Sequence, residues 1–213
     1  MAQIIAMDGP AGSGKSSVSK EVARRLGFGY LDTGAAYRAL AWAVAEGFVE
    51  LPSETFTGFD YQISLDPNDF WVKSFGVDVT EAIREPSISG SVSVVAGVPA
   101  VRNFMKKLTL DLVEQSGLPG VVVEGRDITT VVAPNAKARL LLTADEEVRL
   151  ERRAKELSPE QYSTLKAGLQ ARDASDSKVV DFMTAADGVT LVDSTNLDFE
   201  QTVNAVLSII REQ

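Results

Sequence analysis

The fold is decided by one stretch near the start of the chain, which reads Asp8-Gly9-Pro10-Ala11-Gly12-Ser13-Gly14-Lys15-Ser16-Ser17. Four of its positions, Gly9, Gly14, Lys15 and Ser16, fit the phosphate-loop pattern G-x-x-x-x-G-K-[ST]. Glycines let such a loop curl so that successive backbone N–H groups face one anion. The pattern predicts that Lys15 reaches the β- and γ-phosphates of a nucleotide and that the Ser16 hydroxyl ligates Mg²⁺.

The segments on either side of the loop support this interpretation. Residues 3–7 form a short, mostly apolar run, as expected for a buried parallel strand. After the loop, apolar residues recur at helical spacing, and Gly27 follows where a helix C-terminal glycine belongs. Because strand, loop and helix follow in this order, a nucleotide phosphate site is favoured over a glycine-rich turn with an incidental lysine.

The composition narrows the chemistry that is available. A chain of 213 residues suits one domain, or one domain with a small insert. It has no cysteine and no histidine, which excludes disulfides, thiol nucleophiles, histidine bases and Cys/His zinc sites. A net charge of −9 argues against broad nucleic-acid binding. We expect a cytoplasmic protein without a signal peptide or a membrane-spanning segment.

Four further apolar runs predict strands, and capping residues predict the helices between them. The strands are expected at residues 29–32, 121–123, 138–142 and 189–192. Helix starts are expected at Thr33 as N-cap, at Pro99, at a capping box of Thr143 with Glu146, and at Asp198 as N-cap. The helix after Glu146 is polar on most sides, which indicates either a mobile, exposed element or an ordinary solvated helix. The pattern as a whole predicts an α/β fold, a doubly wound parallel five-stranded sheet with helices on both faces.

Residues from about 54 to 90 follow a different pattern. Proline and glycine punctuate short runs rich in aromatic and β-branched residues, at 61–65, 70–75 and 77–80. These runs predict a small antiparallel sheet. We interpret the segment as an insert in the α/β unit, because it is small for an independent domain.

Charged residues cluster where the predicted strands end. Glu124-Gly125-Arg126-Asp127 follows the third strand, at the edge where open α/β sheets bind ligands. The alternative is that Arg126 and Asp127 form a surface ion pair of little consequence. No Asn-Lys-x-Asp guanine motif and no transporter signature occurs. A phosphate loop with arginines at several strand ends favours a small-molecule kinase, because phosphoryl transfer needs positioning and charge neutralisation more than a nucleophile.

The chain resembles the bacterial cytidylate kinases over essentially its full length. The matching segments are residues 8–10 with 14–16, 31–38, 93–102, 125–127 with 130–132, 172–173 with 176, and 193–195. The resemblance implies a P-loop nucleoside monophosphate kinase that moves the γ-phosphate of ATP to CMP or dCMP with Mg²⁺. The chain departs from the family at Val179, where another arginine is often found, and at Phe182-Met183, where a Ser-Pro-Leu-like turn is common.

The resemblance also implies roles for individual residues. On the ATP side, residues 9–17 wrap the phosphates, and Arg152 and Arg153 belong to a lid that closes over ATP. The residues implied to bind CMP are Thr33, Arg38, Ser93, Arg102, Arg126, Asp127, Arg172 and Asp176. Arg38 and Arg126 would contact its phosphate, whereas Ser93, Arg102 and Asp127 would read the cytosine, whose N4 donor suits a carboxylate and whose acceptors suit an arginine. Lys15, Arg126 and Arg172 would be catalytic.

We therefore expect a single cytidylate-kinase-like domain over residues 1–213. Its core would comprise 1–50 and 91–213, with a monophosphate-binding insert at about 54–90 and a lid at about 149–178. The expected partners are ATP and CMP or dCMP, with no nucleic acid and no membrane, and the expected state is a monomer. Two alternatives stay open: a related P-loop kinase for another small acceptor, and a catalytically silent nucleotide-binding regulator.

Overall fold

The computed structural model of the chain describes residues 2–51, 55–154, 170, 174 and 182–213. At its centre is a parallel five-stranded sheet with the strand order β2-β6-β1-β7-β8. Its strands are β1 (Gln3–Asp8), β2 (Gly29–Asp32), β6 (Gly120–Gly125), β7 (Ala138–Thr143) and β8 (Thr190–Asp193). All five sequence-predicted strands are confirmed, and so is the doubly wound arrangement.

Helices cover both faces of this sheet. They are α1 (Lys15–Leu26), α2 (Thr33–Ala45), α3 (Pro86–Ala96), α4 (Pro99–Gln115), α5 (Glu146–Ala154) and α6 (Phe199–Glu212). Side chains alternate along β1, so Ile5 and Met7 join one buried cluster with α1 and α6. Ala6 joins the opposite cluster with α2, α3 and α4. None of the described helices is long and apolar enough to cross a membrane.

The segment after α2 forms the small antiparallel sheet that the sequence predicts. Its strands are β3 (Gln62–Ile63), β4 (Val72–Ser74) and β5 (Val77–Asp78), in that order. The backbone N–H of Tyr30 on β2 donates to the carbonyl of Leu65 at 2.9 Å, which joins this small sheet to the central one. Helix α3 was not predicted, because residues 86–96 are rich in serine and carry no strong apolar stripe.

The helix ends test the capping predictions. Gly27 is confirmed as the left-handed end of α1 with φ 66°, and Asp198 is confirmed as N-cap of α6 in a capping box with Gln201. Thr33 is wrong as an N-cap: Asp32 caps α2 instead, its carboxylate accepting from the Ala35 N–H at 3.1 Å. The predicted capping box of Thr143 is also wrong, because Thr143 is the last residue of β7 and α5 begins only at residue 146.

Candidate active site

The phosphate loop lies between the carboxyl end of β1 and the N-terminus of α1. Two of its glycines are required by close contacts. A Cβ on Gly9, where φ is 155°, would lie 2.1 Å from the carbonyl oxygen of Leu142, and one on Gly12 would lie 2.7 Å from that of Arg149. Only glycine allows these approaches. The loop is therefore clamped between strand β7 and helix α5, with the N-terminus of α1 directed at the space it encloses.

Helix α5 holds the loop from the other side. Arg149 donates to the carbonyl of Ala11 at 2.9 Å, and Arg152 donates to the carbonyl of Ser13 at 3.2 Å. Arg152 also donates to the hydroxyl of Ser194 at 2.9 Å and to its carbonyl at 2.8 Å. Arg149 is only 7% exposed, so the expected exposure of this helix does not hold for this residue. Its hydrogen bond to Ala11 ties this buried arginine to the loop.

The Ser16 hydroxyl meets a buried carboxylate. It donates to Oε1 of Glu124 at 2.8 Å, and the Tyr30 hydroxyl donates to the same oxygen at 3.0 Å. Glu124 is 3% exposed, and its other oxygen, Oε2, has no hydrogen-bond partner among the described residues. Burial raises the pKa of the Glu124 carboxyl, and the charge of Lys15 acts against that rise. An orphaned carboxylate oxygen beside a serine hydroxyl is a donor set that suits a hard cation such as Mg²⁺.

Asp32, at the end of β2, both caps helix α2 and forms an ion pair. One of its oxygens caps α2, and the other accepts from Arg38 at 2.7 Å. Burial acts to raise the pKa of Asp32, but the Arg38 guanidinium, the charge of Lys15 and the Ala35 N–H together hold that pKa below its ordinary value. Thr33 beside it donates to the carbonyl of Glu124 at 2.7 Å, which ties the start of α2 to β6.

The loop after β6 is fixed by Asp8. The two oxygens of Asp8 accept from the N–H of Ile128 at 3.0 Å, and from the N–H and hydroxyl of Thr129 at 2.8 and 2.7 Å. Burial raises the pKa of Asp8, while these hydrogen bonds act against the rise. This anchor sets the π-helical turn Ile128–Val132 that follows Asp127. Arg126, just before it, donates to the carbonyl of Gly9, so it lies at the entrance of the phosphate loop.

Arg102 and Asp127 form an ion pair in the wall of a small cavity. Arg102 on α4 donates to Asp127 at 2.6 Å, and the two side chains are 24% and 15% exposed. Both line a cavity of about 70 Å³, together with Thr33 and Tyr37. Burial raises the pKa of Asp127, and the charge of Arg102 acts against that rise without cancelling it. Asp127 therefore pairs with Arg102, a partner that the sequence did not suggest for it.

The structure brings most of the predicted site residues to one edge of the central sheet. Ser93 is the exception among those it describes, since it lies exposed on α3 and does not line the cavity of Arg102 and Asp127. Arg172 and Asp176 lie outside the described residues, and so does the side chain of Arg153 on α5.

Four residues of the site received no role from the sequence. They are Asp8, Asp32, Glu124 and Arg149. The first two end parallel strands and Glu124 is the second-last residue of another, so their position at the ligand edge was a usable signal. Arg149 gave no signal, because its partner, the carbonyl of Ala11, lies 138 residues away in the chain.

A phosphate loop on the first strand of a doubly wound parallel sheet, with arginine–carboxylate pairs at the same edge, defines a kinase of the P-loop NTPase class. Within that class the chain belongs to the cytidylate kinase family, whose model, described as Cytidylate kinase, matches residues 5–212.

Individual relatives agree with the family match. The chain is 40% identical to a cytidylate kinase of Cutibacterium acnes, over 97% of this chain and 95% of the relative. It is 38% identical to a cytidylate kinase of Streptomyces avermitilis, over 100% and 94%. The crystal structure of an uncharacterized protein from Eubacterium ventriosum covers 99% of each chain with a TM-score of 0.53 at 10% identity, a likeness that concerns the fold alone.

Proposed function

We propose that this protein transfers the γ-phosphate of ATP to CMP or dCMP, giving ADP and CDP or dCDP. The observation that carries the proposal is the Arg102–Asp127 pair, which lines a small cavity at the sheet edge that also bears the phosphate loop. Cytosine presents an N4 amino donor beside the N3 and O2 acceptors, so a carboxylate and a guanidinium complement its edge. Family membership supports the same acceptor.

The half of the site that binds the phosphoryl donor, which we call the donor half, would hold ATP through the main chain of the phosphate loop. The N–H groups of residues 9–17 and the positive end of α1 suit the β- and γ-phosphates, and Lys15 adds a full charge. Arg152 and Arg153 would belong to the lid over ATP. We assign the lid to about 149–178 and the monophosphate-binding insert to about 54–90.

Ser16 and Glu124 would hold Mg²⁺ beside the phosphate loop. The orphaned Oε2 of Glu124 and the Ser16 hydroxyl supply oxygen ligands at the start of α1. When bound, the ion neutralises charge on the phosphates during transfer. Glu124 is positioned for this by Tyr30, whose hydroxyl fixes the other carboxylate oxygen.

The half of the site that binds the phosphoryl acceptor, which we call the acceptor half, would align CMP for in-line attack. Thr33, Arg38 and Arg126 would bind and orient its phosphate, with Arg172 and Asp176 at the sugar and phosphates. An oxygen of the CMP phosphate attacks the γ-phosphorus of ATP, the bond to the bridging β–γ oxygen breaks, and ADP leaves with that oxygen. Positive charge from Lys15 and Arg126 would stabilise the transferring group.

The remaining assignments follow from this activity. The proposed setting is pyrimidine nucleotide metabolism in the cytoplasm, with the protein acting as a monomer and without nucleic-acid or membrane partners. A net charge of −9 supports the absence of broad nucleic-acid binding.

An acceptor screen tests the proposal directly. ATP-coupled turnover is measured with CMP, dCMP, UMP, AMP, GMP and shikimate at equal concentrations. We expect CMP or dCMP to be phosphorylated fastest. Faster turnover of shikimate or of a purine nucleotide would assign the chain to another acceptor, and no turnover with any of them would indicate a silent nucleotide-binding protein.

A further inference from the structure

Phe182 lies against the guanidinium of Arg126. Its ring centroid is 4.6 Å from the guanidinium carbon, well inside the range of a cation–π interaction. Phe182 is only 1% exposed and is one of the largest fully buried side chains among the described residues. A buried ring has one orientation, so it offers the arginine a fixed surface.

Arg126 is held at a second point by the phosphate loop. One of its terminal nitrogens donates to the carbonyl of Gly9, the first glycine of that loop. Gly9 is itself fixed by its contact with the backbone of Leu142. The ring and the carbonyl are two contacts that hold the guanidinium beside the loop.

A contact with an aromatic ring suits an arginine that must also bind phosphate. A ring attracts the cation by its quadrupole and leaves the positive charge in place. Arginine binds phosphate through a planar fork of N–H groups, so orientation of that plane matters for bidentate contact.

We propose that Phe182 is a positioning residue for Arg126, which it orients for contact with the transferring phosphate. This proposal rests on the function proposed above, because it assigns Arg126 to the acceptor and transferring phosphates. Phe182 does not itself touch substrate.

The test is a double-mutant cycle with a matched control. Phe182→Leu keeps apolar bulk and removes the aromatic face, whereas Phe182→Tyr keeps the face. Phe28→Leu is the control, because Phe28 packs beside α1 and Gly120, away from the site arginines. Each is measured alone, and Phe182→Leu is also combined with Arg126→Ala. Phe182→Met replaces Phe182→Leu if the latter does not fold.

We expect Phe182→Leu to lower kcat with CMP by about three- to tenfold, the range of one cation–π contact, with little change in KM for ATP. Phe182→Tyr should stay within about twofold of wild type, and so should Phe28→Leu. In the Arg126→Ala background, Phe182→Leu should have almost no further effect, because the group it positions is gone. The shift in Tm that saturating CMP produces should also shrink in Phe182→Leu and not in Phe28→Leu.

Two results would overturn the role of Phe182. One is an equal fall in kcat in the presence and absence of Arg126, which would make Phe182 an ordinary core residue. The other is wild-type kcat in a folded Phe182→Leu variant. The wild-type rate with CMP is measured first and tests the proposed function by itself, whereas the cycle compares variants with that rate and tests Phe182 alone.

Discussion

The two halves of the site hold their arginines in different ways. On the phosphate-loop side, Arg149 and Arg152 donate to main-chain carbonyls of the loop. On the proposed acceptor side, Arg38 and Arg102 pair with carboxylates, at 2.7 and 2.6 Å. Arg126 is the exception there, because it donates to the main-chain carbonyl of Gly9. A main-chain carbonyl is part of the scaffold, whereas a side-chain ion pair can exchange its partner for a phosphate or a base. The donor half therefore has its arginines fixed on the main chain, whereas the acceptor half contains an ion pair, Arg102–Asp127, that can open to a base.

The two carboxylate pairs of the acceptor half also differ from each other. Arg38, helped by Lys15 and the Ala35 N–H, lowers the pKa of Asp32 in spite of burial, so the charge of this carboxylate is compensated within the protein. Burial raises the pKa of Asp127 in spite of Arg102, so that carboxylate is less fully compensated. A partly compensated buried carboxylate gains from a further donor. The N4 amino group of cytosine is such a donor, which is consistent with base reading at Asp127 and scaffolding at Asp32.

The largest expected effect falls on the donor half. Lys15→Ala should lower kcat by at least about 100-fold while the protein stays folded, because one lost donor to a transferring charge costs about that much. Turnover and circular dichroism are measured on the same preparation. Lys107→Ala, which removes an exposed lysine on α4, is the control and should keep wild-type turnover. Near-normal turnover in a folded Lys15→Ala variant would remove the phosphate-loop assignment.

Replacing Arg126 should impair turnover even when the substitute is lysine. Arg126→Lys should lower kcat/KM for CMP by about tenfold, since lysine is a point charge that cannot grip phosphate bidentately. Arg24→Lys, a change at an exposed arginine of α1, should have no effect on turnover. If Arg126→Lys kept the wild-type kcat/KM, the bidentate role would be wrong.

The ion pair of Asp32 with Arg38 should stabilise the folded protein, and this contribution should depend on pH. Asp32→Asn can still cap α2 but leaves Arg38 without its counter-charge, so the free energy of unfolding should fall by about 2 kcal/mol at neutral pH. The folded pKa of Asp32 lies below its unfolded value, so its contribution is complete above about pH 5 and is lost as the pH falls through the folded pKa.

Denaturant unfolding measures this contribution at values from about pH 3 to about pH 7, a range that covers the titration of carboxylates. The difference between wild type and Asp32→Asn should be constant above about pH 5 and should shrink at the acid end. Glu114→Gln, a change at an exposed carboxylate of α4, is the control and should change little. A difference that grew on acidification would contradict the assigned direction of the pKa shift.

The smallest expected effect concerns the lid. Because Arg149 and Arg152 anchor the last turns of α5, amides of residues 149–154 should be protected from hydrogen exchange even without ligand. An ATP analogue with CMP should increase protection across 155–178, since closure excludes water from the site. Unchanged protection throughout 149–178 would refute closure of this segment.

Much of the fold followed from local sequence, and most of the site did not. The five strands are short apolar runs, and Pro99, Gly27 and Asp198 mark helix ends by their own conformational limits. The N-cap of α2 was misplaced by one residue, because Asp32 and Thr33 are both good caps and the strand's end decides between them. The pairings Ser16–Glu124 and Arg102–Asp127 join residues 108 and 25 positions apart, so only the folded chain reveals them.

The sharpest measurement is the ratio of kcat/KM for CMP to that for UMP, in wild type and in Asp127→Asn. Uracil puts an acceptor where cytosine has the N4 donor and a donor at N3, so Asp127 and Arg102 would both be mismatched, and wild type should prefer CMP by up to about 10⁴-fold. An amide at 127 can donate to O4 of uracil, so Asp127→Asn should lose CMP activity and narrow the ratio. If the variant lowered both activities by the same factor and left the ratio unaltered, Asp127 would be part of the scaffold and the proposed reading of the base would be wrong.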